Sequence, residues 1–168
     1  RELVRNNPYA KQAKRTTQIN TVGTGMKFQS DVTQLRGNRK DRKINGMIEE
    51  RWKDWCRAEN CDAGGKYNFQ QLEWMAAGAL PESGEAIFRI IRKPLGSSVV
   101  PLALQMIESD LLDEEYDGKT LSKNNEWRNG VEVNEWGRAV RYAILTKHPG
   151  DAIYISSVTD NRKHIFLP

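Results

Sequence analysis

The apolar residues of this chain change their period near residue 85, and that switch constrains the fold more than any other feature. In segments between residues 7 and 80 they recur at helical spacing, and from residue 85 onward they alternate at period two. A segment patterned for one period does not sit stably in the other. Helices first and strands second therefore predict an α+β fold, with N-terminal helices followed by a mainly antiparallel β-sheet with hairpins. The 168 residues, 38% of them apolar, can bury a real core. We read residues 1–168 as a single α+β region. No apolar run approaches the roughly 18–20 residues of a membrane-spanning helix, and no membrane partner is expected.

Asn7-Pro8 supplies a cap acceptor and a first helical residue that loses no needed donor, so a helix is expected to about residue 22, stopped by Gly23 and Gly25. Its lining would be Tyr9, Ala10, Ala13, Thr17 and Ile19. Ile44, Met47, Ile48, Trp52, Trp55 and Cys56 mark the clearest helix, over residues 44–58. Asn68 and Gln71 form a capping-box start for a third, with Phe69, Leu72, Ala76 and Leu80 inside and Pro81 as its stop. Strands are expected at 85–93, 102–107, 131–134, 138–145, 152–157 and 162–166, with turns at Asn129-Gly130 and Trp136-Gly137.

Charge is uneven. Residues 1–60 hold 14 Lys and Arg against 7 Asp and Glu, and residues 61–168 hold 12 against 15, within a net charge of +4. That asymmetry suits head-to-tail contacts between copies or a basic surface near nucleic acid. The densest basic stretch holds Arg36, Arg39, Lys40, Arg42 and Lys43. Having no apolar period, residues 31–43 are expected to form a mobile basic loop whose cations contact DNA or a neighbouring subunit.

Chemistry is sparse. Cys56 and Cys61 have only His148 and His164 to complete a zinc site, and those lie 16 residues apart, so reduced thiols and no metal are expected. Asp62-Ala63-Gly64-Gly65-Lys66 lacks the Ser or Thr of a phosphate loop and the later acids of a calcium loop, and reads as a tight turn. His148-Pro149-Gly150-Asp151 is a strand connection with no nucleophile beside it, and His164, in an apolar strand, reads as a structural histidine. Glu108, Asp110 and Asp113 follow the strand 102–107 as a cluster of acids. Three carboxylates at a strand end can hold a divalent ion, but with no Lys or His in support they read as a structural acidic cluster that caps turns and forms salt bridges. Trp52, Trp55 and Trp74 read as core or interface, and Trp136 as an exposed contact at a hairpin tip.

Pro101-Leu102-Ala103-Leu104-Gln105-Met106-Ile107-Glu108-Ser109-Asp110-Leu111-Leu112-Asp113 resembles a signature of phage portal proteins of the lambda type: a leucine-glutamine-leucine-isoleucine-glutamate strand, then an aspartate and a leucine-aspartate. In the same order, Arg1-Glu2-Leu3-Val4-Arg5-Asn6-Asn7-Pro8-Tyr9-Ala10, Val22-Gly23-Thr24-Gly25, Gly84-Glu85-Ala86-Ile87-Phe88 and the hairpin Gly130 to Arg138 look like that family, with residues 35–43 the least characteristic. The resemblance implies a structural, non-enzymatic subunit without cofactors, of which this stretch is an N-terminal piece from the wing. It implies a ring of twelve full-length copies at one capsid vertex of the virion, assembled in the host cytoplasm. Its partners would be the terminase motor, head-completion or connector proteins, the major capsid protein and the double-stranded DNA that passes through the channel. Two other classes fit the residues alone: a basic nucleic-acid-binding module, and a metal-dependent nuclease built on Glu108, Asp110 and Asp113.

Overall fold

Asn7 opens a helix as its side chain accepts from the Tyr9 and Ala10 amides, at 2.9 and 3.3 Å. The computed structural model, which describes residues 2–35, 37, 39–119, 124–149 and 164–168, shows that helix as α2 (Pro8–Val22), preceded by the short α1 (Glu2–Asn6). The chain divides into two compact units, Arg1–Met106 and Ile107–Pro168.

In the first unit, α2 packs on α5 (Phe69–Ser83). The expected apolar lining of α2 is not what meets its neighbour. Tyr9 is 85% exposed and Ile19 is exposed too, whereas Gln18 is buried and donates to the Trp74 carbonyl at 2.9 Å. Lys14 pairs with Glu82 on the same side. Gly78 permits this approach, since a Cβ there would come within 2.4 Å of Gln18 Nε2. The start of α5 is a complete capping box between Asn68 and Gln71. Its end differs from expectation: Pro81 lies inside the last turn, and Gly84 closes the helix with a left-handed φ of 82°. So near the end a proline forfeits only one backbone bond, and it is the glycine that turns the chain. Leu80, expected inside, is exposed.

Helix α3 (Arg42–Trp55) begins two residues before the apolar stripe because Asp41 caps the Ile44 amide at 3.1 Å. It ends earlier than expected, and α4 (Ala58–Cys61) follows. Strands β1 (Ile87–Ile91) and β2 (Ala103–Ile107) form a two-stranded sheet. Trp55, Cys61 and Leu72 are the buried centre of this unit, with Trp52, Phe69, Phe88, Leu102, Leu104 and Met106 packed against them.

The second unit is an antiparallel meander in the order β3 (Gly118–Lys119), β4 (Glu126–Arg128), β5 (Val131–Val133), β6 (Ala139–Leu145), β7 (His164–Leu167). Asn129 and Gly130 both take positive φ, 48° and 78°, which is the two-residue hairpin turn their sequence announces. The short β3 and β4 were not anticipated; two or three residues are too few to show a period. The expected strand 152–157 and the beginning of that at 162–166 lie outside the described residues. Trp127, Ala143, Ile144 and Leu167 are buried here together with two carboxylates, Asp113 and Glu132.

Candidate functional site

The basic stretch folds back on the start of α3. Thr33 and Lys40 form an antiparallel bridge, Gln34 N donates to Arg39 O, and Asp41 N donates to Val32 O, both at 2.9 Å. Asn45, buried on the first turn of α3, holds both ends of one peptide position: its Oδ1 accepts from Val32 N at 2.7 Å and its Nδ2 donates to Val32 O at 3.0 Å. Glu49 accepts from the Ser30 amide one turn further on. Between these segments is an open cavity of about 660 Å³, lined by Gln29, Ser30, Arg39, Lys40, Arg42, Asn45, Gly46 and Glu49.

Three of the five basic residues singled out by sequence thus line one cavity. Lys43 lies beside Arg42 in α3 but is not in the lining, and Arg36 lies outside the described residues. Lys40 is neutralised by Asp31 at 3.0 Å. The guanidinium groups of Arg39 and Arg42 form no ion pair among the described residues. Bidentate recognition of a carboxylate or phosphate is what an unpaired guanidinium offers.

The acids are not one cluster. Asp113 is buried: its amide donates to the Ala143 carbonyl at 3.0 Å, Oδ1 accepts from Glu115 N at 3.2 Å, and Oδ2 lies 2.7 Å from His164 Nε2. Glu108 precedes and Asp110 lies within the single helical turn Ser109–Leu111 at the surface, and His148 stands by them with Nε2 at 3.9 and 3.5 Å. The sequence reading found no histidine in support of these acids. His148 is that histidine, brought in from 38 residues beyond Asp110 by the return of β6, whose Ile144 bridges Leu112. Glu108, Asp110 and His148 each offer one ligand atom, all within 4.8 Å of one another, a set able to hold a divalent cation or to act as a surface ion pair.

The cysteines lack activation. Both are free, and burial pushes each thiol up to about 11, with Glu73 adding to the rise at Cys56 and Cys56 itself at Cys61. Cys61 Sγ donates to the carbonyls of Cys56 and Tyr67 at 3.6 and 3.5 Å. Trp136 stands 83% exposed at the β5–β6 tip, where Asn134 Oδ1 accepts from the amides of Trp136 and Arg138 at 3.0 Å.

The family model described as phage portal protein, lambda family, matches residues 1–165. A curated relative, the "Probable portal protein" of Halomonas phage phiHAP-1, is 36% identical over 152 residues, which is 90% of this chain and 29% of that protein. The chain therefore spans under a third of the relative's length. The match runs through both units and takes in the strand, the acids and the hairpins described above: the chain belongs to the lambda family of phage portal proteins.

Proposed function

We propose that this chain is the wing region of a portal subunit, a structural part of the virion and not an enzyme. In this reading full-length copies, twelve to a ring, occupy one vertex of the capsid, where they bind the major capsid protein and, later, connector proteins. DNA passes through the ring, driven in by the terminase motor and released into the tail. Assembly takes place in the host cytoplasm. The family match along residues 1–165 carries the reading.

The test is electron microscopy of the complete subunit, with closed rings as the expected result. A subunit that stays monomeric, or virions lacking it at a single vertex, would refute the proposal. The 168-residue chain alone should be monomeric or weakly self-associating at micromolar concentration, because it would retain only part of the area that obligate interfaces bury, roughly 2,000 Å² or more. Light scattering at two salt concentrations checks this, and a stable, salt-insensitive dimer would contradict it.

A further inference from the structure

We infer that the cavity between residues 29 and 49 is a docking surface for a second copy of this chain, and that its occupant is the acidic segment 113–117. The inference rests on the ring reading, since one surface of each copy meets a different surface of the next.

Two features of the receiving side favour an anion. Arg39 and Arg42 face the cavity without an ion pair among the described residues. In addition, the first turn of α3 carries Arg42 and Lys43 and no acid, although the positive end of a helix dipole favours the opposite sign. Asp41 offsets this only as the cap. A local arrangement that opposes helix stability is expected where a contact made elsewhere compensates.

The charge of the remainder identifies the partner. Residues 1–106 hold 18 Lys and Arg against 11 Asp and Glu, a net +7, whereas residues 107–168 hold 8 against 11, a net −3. Between residues 107 and 118 there are six acids and no Lys or Arg. Asp113 is occupied internally by His164, and it fixes the segment that follows: Tyr116 N donates to Asp113 O at 2.9 Å, and Gly130 N to Tyr116 O at 3.0 Å. Glu114 and Glu115 are exposed on a loop that is already ordered, in which Asp117 Oδ1 accepts from the Asn129 amide at 2.8 Å, so little entropy is lost when it docks. Duplex DNA is the other polyanion that a basic surface can take, and it is one outcome of the test.

The experiment reverses each side in the complete subunit. One variant is Arg39→Glu with Arg42→Glu, the other Glu114→Lys with Glu115→Lys, and ring formation is read by mass photometry with circular dichroism as a check on folding. Each variant alone should lose ring formation by tenfold or more, and an equimolar mixture should recover it, because reversed surfaces match only between unlike copies. Recovery by mixing is also proof that the variants fold. The inference is overturned if either variant assembles like the wild type, or if the doubly reversed chain assembles while the mixture does not. It is equally overturned if the arginine variant keeps its rings and loses binding to a labelled DNA duplex. Failure of the wild type itself to form rings would sink the ring reading along with this contact, whereas wild-type rings with indifferent variants sink the contact alone.

Discussion

Trp55 and Glu132 are both sealed from solvent, the first at 4% and the second at 0% exposure, yet they stabilise their units by different means. Trp55 sits among rings: Trp52 and Phe69 have centroids 5.3 and 5.2 Å away, and Phe28 extends the group through Trp52 at 5.4 Å. Its one polar atom is satisfied, Nε1 donating to Leu102 O at 2.6 Å. Glu132 instead accepts from Asn125 Nδ2 at 2.9 Å and pairs with Arg141, whose guanidinium lies 5.8 Å from the rings of Trp127 and Phe166. The bond to Glu132 raises the Arg141 pKa above its ordinary value. Trp55 stabilises through area removed from water, which is non-directional. Glu132 stabilises through paired polar groups, each of which needs its partner.

The largest test of this contrast is Trp55→Ala. Truncating a buried tryptophan costs about 3–5 kcal/mol. The first unit should melt well before the second, as read by amide exchange in each unit; uniform loss of protection across the chain would break the distinction.

Thiol chemistry gives the next effect and belongs to the first unit alone, which holds both cysteines. With the thiols raised from 9.0 to about 11, the thiolate population near neutral pH falls about 100-fold relative to an ordinary cysteine. Alkylation by iodoacetamide should be slow when folded and fast in denaturant. Because the folded pKa lies above the unfolded one, the stabilising contribution is complete below pH 9 and is lost as pH rises from about 9 to 11. Rapid labelling of the folded chain at pH 7.5 would contradict the packing described for this core.

In the second unit, Asp113→Ala should cost about 1–3 kcal/mol, since it strips His164 and the Glu115 amide of a buried partner. Glu108→Ala with Asp110→Ala should cost less, roughly 0–1 kcal/mol, as both are at the surface. Equal losses in thermal denaturation would show that the acids act as one group after all. Added magnesium should leave the wild-type melting temperature unchanged; a clear rise would make Glu108, Asp110 and His148 a cation site. Asn68→Ala at the capping box of α5 should cost about 1 kcal/mol. It should fall on the first unit only.

Much of this was legible in the residues. The caps at Asn7 and Asn68, the Asn129-Gly130 turn, the aromatic stripe of α3 and the order of helices before strands are local features, and local chemistry decides them. Reading α2 failed because its packing face is polar: Lys14 and Gln18 meet α5 across a glycine, and no apolar period marks such a face. The acids are a different case. Glu108, Asp110 and Asp113 are chemically alike in the chain, and only the return of β6 and β7 gives His148 to the first two and His164 to the third.

The sequence by itself determined the fold class, the caps that open α2 and α5, the Asn129-Gly130 turn and the family, because these depend on period, on capping chemistry and on residue order. Tertiary structure alone decided which charges are buried, which are paired, and which three cations share a cavity. Ion pairing and burial depend on distances between residues far apart in the chain, and a sequence does not contain those distances.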